Sequence, residues 1–349
     1  MLAKNILLPN LSFKKIVFIF FTTFSLSIIV LLFFASKEKK YNVVEKKDLS
    51  LTYDCQKLNC LQAYYQFPKN HPEYKKTITE EELPAKIDKV LQEKETIQFS
   101  PTNAELKKAI LANLNINFLL ENINERGLVV TNISNKNHQN YLEKEVLFTD
   151  EHVGTFDVLI LIPKKKGIKN KFPAIIGLHG HGDSNKTFMN KYLGADLAQS
   201  GFVVIMPSFR AMSSQPDEEI SLLLLQNGYT LMGLRVYETL LLIKYLQYLE
   251  IVDNNNIGIL SHSGGSSCAN LVVRITPSIK AQATDYFVNW LPYKAKIHCE
   301  VIPALSYYQK AINSYQSLSI PVLSLPYSFA NRQQTIISFF ETHLKKNNL

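Results

Sequence analysis

Residues Ser261-His262-Ser263-Gly264-Gly265 follow a short apolar run, Ile257 to Leu260. That pattern suits a nucleophilic serine. A strand, a tight strained turn and a helix push the Ser263 hydroxyl out above a sheet, and the next backbone N–H, on Gly264, faces any oxyanion that forms. Ser261 and Gly265, two before and two after, are small enough to let strand and helix approach. The first of these places is more often glycine, so the serine there implies some strain. A second segment, His179-Gly180-His181-Gly182, follows the apolar run Pro173 to Leu178. A glycine-rich loop at a strand end can turn another N–H toward the same oxyanion. It matches neither G-x-G-x-x-G nor a Walker pattern, which argues against phosphate binding.

A serine is a poor nucleophile until a histidine takes its proton and a carboxylate orients that histidine. Downstream of Ser263 the carboxylates are Asp285, Glu300 and Glu341, and the histidines are His298 and His343. Asp285 closes the apparent strand AQATD and is the candidate acid, against a plain hydrogen-bonded loop aspartate. His298 is the candidate base. His343 ends the last helix beside Lys345 and Lys346, where a cation suits the helix dipole, and reads as a surface residue. His262 reads as packing, and His179 as a brace for its loop.

The elements that must position these residues begin after Tyr141. YLEKEVLFTDE and TFDVLILIP form a strand pair, PAIIGLHG and FVVIMPS are short apolar strands, and TLMGLRVYETLLLIKYLQYL is a long amphipathic helix. NIGILSHSGG is a strand running into the sharp turn at Ser263. Apolar runs alternating with helices specify an α/β fold, a doubly wound, mostly parallel sheet, with ligands at the carboxyl ends of the strands. Before it, SPTNAELKKAILANL starts a helix capped by Ser100 or Thr102, with Leu106, Ile110, Leu111 and Leu114 on one face.

The N-terminal third differs. After a tail of residues 1–15, residues 16–35 carry no charge, and about 20 helical residues span roughly the 30 Å of a bilayer core. Phe33 stands where a cleavage site wants a small residue, so the run reads as a transmembrane signal anchor with the bulk of the chain exported. Residues 36–100 are a polar, Lys- and Glu-rich linker or helical stalk, and residues 101–349 form the main domain. Cys55 and Cys60 fit a small disulfide or two free thiols. No Cys/His spacing suggests zinc, and Asp217, Glu218 and Glu219 read as a solvated loop, so no metal or other cofactor is implied. The net charge is +8 over 349 residues, 46% of them hydrophobic, but the lysines are scattered. A disordered chain is excluded, and no nucleic-acid partner is indicated.

TFDVLILIPKKKGIKNKFPAIIGLHGHGD, GYTLMGLRVYETLLLIKYL, VDNNNIGILSHSGGSSCANL and IHCEVIPALSYYQ, in that order, resemble the acetyl xylan esterase and dienelactone hydrolase-like branch of the α/β-hydrolase superfamily. The resemblance covers residues 105 to 325. It implies Ser263 as nucleophile, an oxyanion hole from the N–H groups of Gly264 and His181, and hydrolysis of a small-molecule ester through an acyl-enzyme. One part departs from the pattern. After the late strand SIPVLSLPYSF such enzymes continue with an aspartate, another strand and a histidine, whereas this chain runs almost directly into ANRQQTIISFFETHL. Two outcomes stay open: an esterase whose triad is completed elsewhere, or a degenerate relative that serves as a binding or scaffold protein.

Overall fold

A computed structural model describes residues 101–121, 123, 128–150, 153–164, 171–210, 212, 221, 224, 229–285, 300, 302, 305 and 308–345. The expected anchor (16–35), the stalk, Cys55, Cys60, the 217–219 carboxylates and the candidate base His298 lie outside them. Among the described residues no helix is long and apolar enough to cross a membrane.

Eight strands form one sheet: β1 (Val129–Asn137), β2 (Tyr141–Asp150), β3 (Gly154–Pro163), β4 (Phe172–Leu178), β5 (Val203–Pro207), β6 (Val252–Ser261), β7 (Ile279–Thr284) and β8 (Val322–Ser324). Their spatial order is β1-β2-β3-β5-β4-β6-β7-β8. The first three and the β3–β5 pair are antiparallel, and every pair from β5 to β8 is parallel. The expected β2–β3 hairpin closes through Gly154, whose φ of 76° glycine adopts without penalty. Strands β4 and β5 are buried on both faces apart from Phe172, which explains why they read as continuous apolar runs rather than alternating ones.

Helices cover both faces. Phe188 of α3 (Asn185–Lys191) and Leu197 of α4 (Gly194–Gln199) share one buried cluster with Ile336, Phe340 and Leu344 of the C-terminal helix Arg332–Leu344. On the other face, α5 (Leu231–Tyr248) and α6 (Gly264–Ile275) pack on β4 and β6 and on each other, and α1 (Asn103–Leu114) packs on α6. Thr102 caps α1 in a reciprocal capping box with Glu105, and Leu106, Ile110 and Leu114 turn inward. A short α2 (Asn117–Glu121) follows it, and α7 (Gln309–Ile312) precedes β8, which makes the C-terminal helix α8.

Helix α5 departs from expectation. It is buried on nearly every side rather than amphipathic, and takes Arg235, Glu238 and Lys244 into the interior with it. Buried charge of this kind requires partners. Glu238 takes a hydrogen bond from Arg210 Nε, and Arg235 donates to the Arg210 carbonyl at 2.6 Å and 3.1 Å. At the far edge, Arg274 of α6 donates to the carbonyls of Ala311, Ile312 and Ser314 and so anchors the segment that leads into β8. Strand β8 is three residues long. Among the described residues no strand follows it before α8.

Candidate active site

Ser263 stands between β6 and α6 with φ 48° and ψ −120°, a strained backbone for a residue with a side chain. The surrounding structure holds it there. Leu178 O accepts the His262 N–H at 3.0 Å, His262 O accepts from Gly265 N at 2.9 Å, and Ser263 O accepts from Ser266 N at 2.8 Å. The need for small neighbours is explicit. A Cβ on Gly265 would lie 2.3 Å from Leu178 O, so any side chain there would force α6 off β4. Ser261 is fully buried and its hydroxyl accepts from Ser266 Oγ at 3.1 Å.

The loop after β4 lies against this turn. A Cβ on Gly180 would come 2.8 Å from Ser263 Cβ, so glycine is what permits the approach. His179 Nε2 accepts the Phe209 N–H at 2.9 Å, which places the ring hydrogen on Nδ1, donated to Gly180 O at 2.9 Å. Burial pulls its pKa down to about 4, so His179 is a neutral brace with both nitrogens engaged. Gly182, at φ 75°, donates its N–H to Met212 O at 2.6 Å and ties the loop to the segment after β5. The His181 ring lies over Gly264, with Nδ1 2.6 Å from where a Cβ on that glycine would be. Gly180 and His181 therefore come together with Ser263 and Gly264, while His179 and Gly182 fix the loop that carries them.

Asp285, directly after β7, joins them. Its carboxylate is 3% exposed. Oδ1 accepts the Ser263 N–H at 3.0 Å, while Oδ2 accepts from His262 Nδ1 at 2.6 Å and from an Arg332 nitrogen at 3.3 Å. His262 does pack, stacked on Tyr192 with ring centroids 4.2 Å apart, but the hydrogen bond with Asp285 is a role that sequence reasoning missed. A signal for it existed. In the parallel β6–β7 register Leu260 pairs with Ala283, so two residues further on His262 and Asp285 stand side by side. Arg332, the first residue of α8, packs its guanidinium over Tyr327, and desolvation pulls its pKa down, a shift the Asp285 carboxylate opposes.

Among solved structures the chain is similar to a Bacteroides fragilis NCTC 9343 protein named as an acetyl xylan esterase (TM-score 0.52, 14% identity, 69% of this chain and 71% of that one). It is likewise similar to an acetyl xylan esterase from Paenibacillus sp. R4 (TM-score 0.51, 12% identity, 80% of this chain and 99% of that one). The chain has the α/β-hydrolase fold. No protein-family model matches the sequence, and no curated protein matches it.

In an α/β hydrolase the triad runs in chain order Ser, acid, His. Here Ser263 and Asp285 come in that order and meet. The segment between β8 and α8, where the histidine is expected, presents Tyr327 and Phe329 to solvent, each 46% exposed. His343 lies at the far end of α8, edge-on to Phe339. Cys268, behind the elbow, is a fully buried thiol pushed up to about 12, which rules it out as a competing nucleophile. Among the described residues no group of three or more His, Cys, Asp or Glu could hold a metal ion.

Proposed function

We propose that the chain is a serine hydrolase of small carboxylic esters, with Ser263 as nucleophile, the N–H groups of Gly264 and His181 as the oxyanion hole, and Asp285 as the acid. The observation that carries this reading is Ser263 itself, held at positive φ on a strand-to-helix turn with its own N–H on the Asp285 carboxylate. Nature maintains such strain mainly where it aims a reacting group. The similar structures named as acetyl xylan esterases favour an acetyl or other short acyl group.

In the first half-reaction the Ser263 Oγ–H bond breaks as Oγ bonds to the ester carbonyl carbon. The carbonyl π pair moves onto oxygen, where the two N–H groups stabilise it. Collapse of this intermediate expels the alcohol, which leaves with the serine's proton. Water then attacks the acyl-enzyme in the same manner, releasing the carboxylic acid and returning a proton to Ser263. Residues 16–35 hold this domain at a bilayer, with the domain exported.

One observation favours the second reading, a binding or scaffold protein on a degenerate hydrolase fold: the 325–331 segment carries no histidine. Turnover of p-nitrophenyl acetate by the full-length chain, beside Ser263→Ala, separates the two. Release of p-nitrophenol that vanishes in Ser263→Ala supports the hydrolase. Equal background rates from both proteins support the scaffold.

A further inference from the structure

We infer that His262, the residue immediately before the nucleophile, is the general base for Ser263, with Asp285 as its orienting carboxylate. The inference rests on the serine-hydrolase reading and supplies the base which that reading leaves open.

Three features of His262 match what a base needs. The first is tautomer. A carboxylate accepts only, so the 2.6 Å contact with Asp285 Oδ2 puts a hydrogen on Nδ1 and leaves Nε2 with its lone pair. The second is orientation. Tyr192 stacks on the ring at 23° and Tyr327 packs against it at 49°, so the ring plane is fixed by two aromatic neighbours and by the carboxylate. The third is place. The point where a Gly180 Cβ would sit is 2.8 Å from Ser263 Cβ and 3.3 Å from His262 Cδ2, the ring carbon bonded to Nε2. Those two carbons are therefore at most about 6 Å apart, the sum of the two distances, so the ring edge and the nucleophile border the same point of the Gly180 loop. The imidazole also remains 19% exposed, so an ester can approach it.

The charged and titratable groups that face it are close by. Arg332 shares the Asp285 carboxylate at 3.3 Å. On the other side of the ring, the Tyr192 hydroxyl is bound to Asp183 at 3.0 Å, and Lys191 lies over the Tyr192 and Tyr327 rings at 5.1 Å and 5.7 Å. The proton path closes: Oγ–H breaks toward Nε2 as Oγ bonds to the acyl carbon, and the imidazolium then gives that proton to the departing alkoxide. In deacylation Nε2 takes a proton from water and returns it to Oγ. The same Asp285 also holds the Ser263 N–H, so one carboxylate orients both base and nucleophile.

The test follows the rate at which a fluorophosphonate probe labels Ser263 in the full-length chain, for wild type, His262→Gln, His262→Ala and His298→Ala. Wild type should label. His262→Gln should label about 10²–10⁴-fold more slowly with an unchanged melting temperature, and added imidazole should restore part of the rate in His262→Ala. The wild-type rate should rise with pH through one ionisation in roughly the pH 5–8 range, and His298→Ala should keep that profile. Labelling of His262→Gln within about threefold of wild type would overturn the inference, as would loss of labelling in His298→Ala alone. If His262→Gln does not fold, a flat wild-type profile overturns it and a titrating profile that survives His298→Ala supports it. A wild-type chain that no probe labels fails differently, because it removes the serine-hydrolase reading together with its base.

Discussion

Replacing Gly180 with alanine tests the geometry of the site without touching any group assigned to the chemistry. The new Cβ would meet Ser263 Cβ at 2.8 Å, His262 O at 3.1 Å and His262 Cδ2 at 3.3 Å. Carbon atoms in contact prefer about 3.5–4.0 Å, so loop and elbow must part by roughly 1 Å. Overpacking of this kind costs about 1–3 kcal/mol, and a displacement of about 1 Å at a reacting atom can cost on the order of 10² in rate. Gly182→Ala is the control. It lies in the same loop at φ 75° but its Cβ would meet nothing within 4 Å, so it carries backbone strain of roughly 1–2 kcal/mol and no clash with Ser263. The assay is p-nitrophenyl acetate hydrolysis beside thermal melting. Gly180→Ala should lose far more activity than Gly182→Ala for a comparable loss of stability. Equal activities in the two variants would refute the placement of Gly180 against the nucleophile.

Other expectations concern the supports of the site. The pKa of His179 falls from 6.5 to about 4 on folding, so the unfolded chain binds a proton that the folded chain refuses. Stability is therefore lost as pH falls from about 6.5 to about 4, by about 3 kcal/mol in all, and urea titrations should show that loss shrink in His179→Gln. Glu238→Gln removes the carboxylate that faces Arg210 in the interior and should cost about 3–5 kcal/mol, read as a melting temperature lower by several degrees. Gly265→Ala, whose Cβ would meet Leu178 O at 2.3 Å, should fold poorly or not at all, and circular dichroism with melting shows which.

The parallel strands were legible because burial on both faces writes them as uninterrupted apolar runs ending in glycine or polar loops. The elbow was legible because its small residues are a local requirement: Ser261, at the end of β6, meets Ser266 of α6, and Gly265 sits where α6 nearly touches the end of β4. Two things were not. Helix α5 looked amphipathic because Arg235, Glu238 and Lys244 count as polar in any periodic reading, and only the tertiary structure reveals that Arg210 comes to meet Arg235 and Glu238. The His262–Asp285 pair was hidden because its members are far apart in sequence and join only through the β6–β7 register. Sequence order alone cannot tell a histidine that packs from one that packs and pairs.

The most direct measurement is peptide mapping of the full-length chain after treatment with a fluorophosphonate, with Ser263→Ala alongside. The account predicts a single phosphonylated peptide carrying the adduct on Ser263, absent from the mutant. An unmodified Ser263 in folded protein, or an adduct on another residue that persists in the mutant, would contradict it.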